Sequence, residues 1–283
     1  MQNLKGGVDP KVYTREYYLT DCTGYQEFNE SYGNKLEPRF RELVGHFTIK
    51  EGMRVLDVGC GRGEMALFAA KKGALAIGID YSKNAIKLAN KMRRKKKREF
   101  QKKMRFYVMD AKNLTFADSY FDIVVLTDVV EHLYEKELDV VFRQIKRVLK
   151  KNGTIVIHTA PNKLFVDIGY KLYSYPLSTI IVRTWNILSG SKYQNIAKPS
   201  MLRTYSHSIM HINEPTYFSL KRLFNRYNLA GSLKSSNITA KKPSLGLKDV
   251  LFNTIVFLHP LSKYFPFNVL FGSDFIAVLR NQK

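Results

Sequence analysis

The ten residues from Val55 to Glu64, VLDVGCGRGE, set a short apolar strand directly against a turn with alternating glycines. Glycine has no Cβ and enters left-handed backbone angles freely, so such a turn lets main chain approach a ligand closely. A buried strand that delivers a ligand-binding turn belongs to an open α/β sheet, in which ligands sit beyond the carboxyl ends of the strands. The chain as far as Asn162 keeps that rhythm. The strand MRVLDVGC is followed by the helix GEMALFAAKKG, stopped at Gly73, and the strand ALAIGID. The helix SKNAIKLANKMRRKKK follows, with Ser82 as N-cap, then the strands MRFYVMD and YFDIVVLTD. A long amphipathic helix, EKELDVVFRQIKRVLKKNG, is expected to run to its glycine before a fifth strand, TIVIHTAPN. Strands and helices alternating with short turns predict a doubly wound, mostly parallel sheet. Its near-continuous apolar strands suit a sheet covered on both faces.

Four segments follow from this pattern. Residues 1–50 form a helical, aromatic lead-in, and NKLEPRFRELVGHF places Leu36, Phe40, Leu43 and Val44 on one side of a helix. Residues 51–162 form the core. Residues 163–272 form a cap or acceptor-binding insertion with late core elements, among them the helix EPTYFSLKRLFNRYNLAG, closed by its glycine. Residues 273–283 supply the last strand, DFIAVLR.

The glycine spacing narrows the ligand. A nicotinamide fingerprint requires G-x-G-x-x-G, but Glu64 occupies the place of its third glycine; a P-loop requires a Lys-Ser or Lys-Thr pair that is absent. The pattern present is D-x-G-x-G-x-G, beginning at Asp57. An acid beside the turn suits a ligand with a cationic amino group better than one with phosphates.

VLDVGCGRGE resembles the first motif of the class I S-adenosylmethionine-dependent methyltransferases. The likeness continues in order through GIDYS, VMDAKNLTF, FDIVVLTDVVEHL and LKKNGTIVIHTAPN, and the fourth-strand segment resembles the UbiE- and UbiG-like (type 11) branch. It covers roughly Arg54 to Asn162. It implies S-adenosylmethionine as cofactor, S-adenosylhomocysteine as product, and cofactor contacts from Asp57, Gly59, Cys60, Gly61, Gly63, Asp80, Tyr81, Asp110, Ala111 and Asp128. Asp80 would accept hydrogen bonds from the ribose hydroxyls, since a carboxylate offers paired acceptor oxygens. Asp110 would accept from the adenine amino group or cap its own loop. Tyr81 would pack on the adenine. Asp57 would touch the cofactor or bind the turn's own amides, and Asp128 would meet the methionine portion or the acceptor.

A general base is required only if the acceptor is a hydroxyl or an acidic carbon, and histidine suits that work. His132 follows the fourth strand and is the first candidate; His211, in YSHSIMHINEP, is the second, with His207 beside it. His158 lies inside an apolar strand and is expected to be a core residue. Glu131 is expected to orient or cap. Cys22 and Cys60, the two cysteines, form neither a disulfide framework nor a zinc pattern, so no metal is expected and a reducing cytoplasm is the default.

The net charge of +22 favours an anionic partner. From Lys91 to Arg105 ten basic residues face one acid, Glu99. The proline-broken apolar stretch 245–271 is too irregular to span a bilayer but suits an interface. No signal-peptide pattern and no apolar run of spanning length is present. The leading expectation is methyl transfer to a small-molecule, lipid, isoprenoid or lipid-linked glycan acceptor by a cytoplasmic protein peripheral at the inner face of the membrane. An RNA methyltransferase and a non-catalytic cofactor-binding protein are the alternatives. The oligomeric state has no signature in the sequence.

Overall fold

The computed structural model describes residues 8–203, 209–236 and 246–282; His207 and Leu245 lie outside the described residues. Seven strands form one sheet in the order β3–β2–β1–β4–β5–β7–β6. They are β1 (Arg54–Val58), β2 (Leu75–Asp80), β3 (Met104–Val108), β4 (Phe121–Thr127), β5 (Leu149–Thr159), β6 (Leu229–Ser235) and β7 (Phe275–Asn281). Strands β1 to β5 are parallel, β7 runs antiparallel to β5, and β6 pairs antiparallel with β7. Among the described residues the α-helices with both ends defined are α1 (Tyr25–Ser31), α2 (Pro38–Val44), α3 (Glu64–Lys71), α4 (Lys83–Arg94), α5 (Arg98–Lys103), α6 (Glu135–Val148), α7 (Tyr175–Ser189), α8 (Tyr217–Arg226) and α9 (Leu247–Phe257).

Strand alternation divides the core into two layers. Val55 faces α3 and α4, packing with Met65, Leu67, Ile86 and Met92. Leu56 and Val58 face the other way, toward Val141, Phe142 and Ile145 of α6 and Leu223 and Phe224 of α8. Burying both faces is what a parallel sheet requires. Ser82 caps α4, its Oγ accepting from the Ala85 amide at 3.4 Å. Thr216 and Ser219 form a reciprocal cap at the start of α8.

Two helix stops differ from expectation. The helix α6 ends at Val148, five residues before Gly153, because Leu149 already pairs with Phe121 of β4. The helix α8 ends at Arg226, and Gly231 lies inside β6, a strand that the sequence pattern did not announce. A Cβ at Gly231 would stand 2.0 Å from the Val278 carbonyl oxygen, so close strand approach, not helix termination, accounts for this glycine.

Parallel direction fixes where the ends lie. The carboxyl ends of β1 to β5 share one edge of the sheet, and the cap leaves from that edge after Thr159. The basic run occupies the last turn of α4 and all of α5, which lead into the amino end of β3 at the opposite edge. The cap consists of a π-helical segment Phe165–Ser174, α7, an irregular stretch and α9. Phe165, Val166, Tyr170, Val256 and Phe257 give it a small core of its own.

Candidate active site

A cavity of about 540 Å³ opens at the carboxyl edge of the sheet, bounded by the glycine turn, the lead-in and the cap. Gly59 and Gly61 line it with φ of +68° and +50°. A Cβ at Gly59 would lie 2.6 Å from Val129 Cγ2. Gly63 is at the N-cap of α3, outside the lining, and turns its hydrogen toward the Phe106 ring. Cys60 is a buried lining residue of the turn.

Three buried acids converge on this turn: Asp57, Glu64 and Asp80. Burial pushes the Asp57 carboxyl well up, and Glu64 and Asp80 push it further. Its Oδ2 lacks a hydrogen-bond partner among the described residues. A buried carboxylate oxygen without a donor is costly unless a ligand supplies one. The Asp80 carboxyl is pushed up to about 6 by burial, although it accepts from the Gly61 amide (3.1 Å) and the Ser82 amide (2.8 Å). A carboxylate has about four acceptor positions, so these two bonds leave capacity for two hydroxyls. The open turn, the unpartnered Asp57 oxygen and the two-sided Asp80 fit a ligand with an ammonium group and a ribose.

The adenine side is more exposed. Asp110 is half-committed to its loop: Oδ1 accepts from the Lys112 amide at 2.8 Å, and Oδ2 lies 3.5 Å from Lys112 Nζ. Ala111 lines the cavity beside it. The Tyr81 hydroxyl donates to the Val8 carbonyl, and its ring meets Tyr13 edge-on at 5.4 Å. Tyr13, Tyr17 and Tyr18 of the lead-in close this side. Arg62 fastens them, donating to the carbonyls of Tyr18 (2.8 Å), Cys22 (3.2 Å) and Thr23 (2.8 Å) while pairing with Glu64. The arginine between Gly61 and Gly63 is the sequence signal for this strap; it is 4% exposed, and a buried arginine needs fixed acceptors.

On the cap side, a chain of charges crosses the fold. Asp128, at φ +54° after β4, pairs with Arg39 and with His158 Nδ1 at 2.6 Å. His158 is fully buried, and its Nε2 lies 3.1 Å from Asp274. Burial opposes a charge on His158, but Asp128 and Asp274 outweigh it and push the imidazole up to about 10. Burial likewise raises Asp128, yet Arg39 and His158 hold it well below the usual carboxylate range. His158 is thus a paired core imidazolium, and Asp128, although it lines the cavity, is anchored by two cations.

His132 sits where the two halves meet. Its Nδ1 lies 2.9 Å from the Met210 carbonyl and 3.1 Å from the Tyr13 hydroxyl. A carbonyl only accepts, so Nδ1 donates and the lone pair falls on Nε2. The His211 ring stands 5.0 Å from the His132 ring. Ligand-type atoms of Glu131, His132 and His211 lie within 4.8 Å of one another, a grouping that the spacing of cysteines and histidines did not suggest. Glu131 accepts from Thr159 Oγ1 (2.8 Å) and the Ala160 amide (3.3 Å); burial and then Asp128 push its carboxyl up to about 8.

The fold and the glycine turn define a Rossmann-like domain built for S-adenosylmethionine. Residues 56–157 match the family model described as a methyltransferase domain. The chain is 32% identical to Methyltransferase GfsG of Streptomyces halstedii over 41% of this chain and 41% of that protein. It is 26% identical to the ubiquinone biosynthesis O-methyltransferase of Pelagibacter ubique over 67% of this chain and 72% of that protein. The match thus spans less than half of the first relative's length and about three quarters of the second's. A solved SAM-dependent methyltransferase from Methanosarcina mazei has the same fold, with a TM-score of 0.52 at 19% identity, covering 87% of this chain and 98% of that one. Residues 56–157 are thus similar to the methyltransferase-domain family, and the sheet shares the fold of a solved S-adenosylmethionine-dependent methyltransferase.

Proposed function

We propose that this protein transfers the methyl group of S-adenosylmethionine to an apolar, lipid-type small molecule bound between the glycine turn and the cap. The observation that carries this reading is one cavity with two chemistries. Its sheet side is acidic and backbone-rich, while its cap side offers Phe165, Val166, Met201, Leu202 and Met210. The relative from Pelagibacter ubique is named for ubiquinone biosynthesis, which agrees with an apolar acceptor. The bound cofactor supplies an electrophilic methyl on sulfur. Asp57 would hold its ammonium group, Asp80 its ribose, and Asp110, Ala111 and Tyr81 its adenine. His132 Nε2 would take the proton from an acceptor hydroxyl or acidic carbon, while Met210 and Tyr13 hold the ring through Nδ1. The strap of tyrosines and the cap exclude water, which favours alignment of the reacting atoms.

The reaction would take place at the inner face of an anionic membrane, to which the protein binds reversibly. No helix among the described residues is long and apolar enough to cross a membrane. The RNA alternative gains no support from the fold, because the basic run lies at the sheet edge opposite the cavity. The test is methyl transfer from tritiated cofactor into a lipid extract of the source cells and, separately, into its total RNA. Label in the organic phase is expected; label confined to RNA would replace the reading.

A further inference from the structure

The cap helices carry apolar residues on their outer face as well as on their inner one. On α7 the inward positions Ser174, its N-cap, and Ser178 are fully buried, while Ile187 and Leu188 are 82% and 80% exposed. On α9 the inward Asn253 is 1% exposed, while Leu247 and Leu251 are 84% and 58% exposed. A soluble helix places its apolar stripe on the core. Here Val182, Val256 and Phe257 lie on the core, but Ile187, Leu188, Leu247 and Leu251 face out as well. Single exposed leucines are ordinary, but a set of them on adjoining helices marks a surface that something apolar covers.

The two helices form one surface. The ammonium group of Lys248, on α9, lies 4.7 Å from the centre of the Trp185 ring, on α7. The Tyr173 hydroxyl of the π-helical segment donates to the Ile255 carbonyl of α9 at 2.9 Å. The charge around the exposed residues is mainly positive. Segments 163–203 and 246–271 carry eight lysines and arginines against two acids, Asp167 and Asp249. Asp167 is paired with Arg203 and Lys163, and Lys263 with Glu42, so the cationic surplus is Lys171, Arg183, Lys192, Lys198 and Lys248. Apolar side chains interleaved with cations and an indole are the composition that enters the headgroup boundary of an anionic leaflet.

We infer that the outer face of α7 and α9 is the surface by which this protein docks on an anionic lipid bilayer, placing the cap side of the cavity next to the acceptor's own phase. The inference deepens the proposed function and rests on it for the nature of the acceptor. The π-helical segment connects the two: Phe165 and Val166 at its start line the cavity, and Leu172 near its end is 77% exposed. The basic run of α4 and α5 takes no part, because the sheet holds it at the far edge. This separates the docking face from the part of the sequence with the densest charge.

The chain's one tryptophan, Trp185, reports on this face directly. The full chain is mixed with vesicles of phosphatidylcholine alone or with added phosphatidylglycerol, and Trp185 emission and co-sedimentation are followed. A blue shift and pelleting with the anionic vesicles are expected, weakened but not abolished by salt. Ile187→Ser combined with Leu247→Ser should lower partitioning on the order of 100-fold, since each buried side chain contributes roughly a tenfold factor. Both positions are more than four-fifths exposed, so the fold should tolerate the change. Replacing Lys95 and Lys97 by Ala should leave partitioning within about threefold. The inference is overturned if neither vesicle shifts the emission. It is also overturned if the Lys95 and Lys97 variant, not the cap variant, loses binding, or if the wild type self-associates through this face and the cap variant is a monomer. Calorimetry with S-adenosylhomocysteine separates the two claims. Binding of that ligand without vesicle docking removes the docking face and leaves the methyltransferase reading. Absence of ligand binding removes that reading whatever the vesicles show.

Discussion

The two sides of the cavity are built differently. The proposed cofactor side uses the carboxyl ends of β1 and β2 and the turns after β1 and β3, so Asp57, Gly59, Gly61, Asp80 and Asp110 all fall within 54 residues. The cap side draws on remote segments: Tyr13 and Arg39 from the lead-in, Asp128 and His132 after β4, His158 in β5, Met210 in the cap and Asp274 before β7. On the first side the backbone does most of the holding, and side-chain changes act locally. On the second, buried charges hold one another across the fold, so the loss of one partner strands the next. Changes on the cap side should therefore cost more, and should disturb chemistry and stability instead of cofactor affinity.

The largest expected effect is on turnover. His132→Ala should lower methyl transfer into the lipid extract by roughly 10²–10⁴-fold if the acceptor loses a proton, with S-adenosylhomocysteine affinity nearly intact. Equal losses in rate and affinity would place His132 on the cofactor side and break the contrast.

The buried charge chain comes next. Asp274→Ala should destabilise the fold by about 3–5 kcal/mol, as expected when a buried ion pair loses one member. Chemical denaturation measures it. The pH dependence has a definite sign. His158 is protonated in the folded state up to about 10. Its contribution is therefore complete below the ordinary histidine range, around 6.5, and is lost as pH rises through about 10. Stability of the wild type should fall across that interval, and the Asp274→Ala protein should show a shallower fall.

Asp80→Ala should weaken S-adenosylhomocysteine binding by about 1.5–3 kcal/mol in calorimetry, the worth of a hydrogen bond to a charged group. Thermal stability without ligand should not drop in step, because burial already disfavours the ionised Asp80. Wild-type affinity should decline as pH falls through about 6, where Asp80 takes up a proton and ceases to be a two-oxygen acceptor. A pH-independent affinity between 5 and 8 would remove the ribose assignment. The smallest effect is expected at Ile187→Ser alone, within about 0.5 kcal/mol in stability. A larger loss would mean that the outer face of α7 is covered in the isolated protein.

The sequence alone determined the parallel core and the class of cofactor. Apolar runs, helix caps and the glycine turn are local features, and in a doubly wound sheet the topology places strand ends on one edge regardless of what lies further along the chain. For the same reason Asp57, Gly59, Gly61 and Asp80 could be singled out, and His158 could be taken as a core residue from its apolar neighbours. Gly63 shows the limit: the same spacing put it in the turn, but only the packed Phe106 ring reveals which way it faces. The partners of His158 were not legible, because Asp274 is 116 positions away and reaches it only when β7 inserts antiparallel beside β5. The tyrosine strap, the Met210 carbonyl behind His132, the strand β6 and the outward Ile187 and Leu188 of α7 likewise depend on which surfaces meet. Periodicity states that a residue has a face; tertiary packing decides whether that face meets the core, the cavity or the solvent.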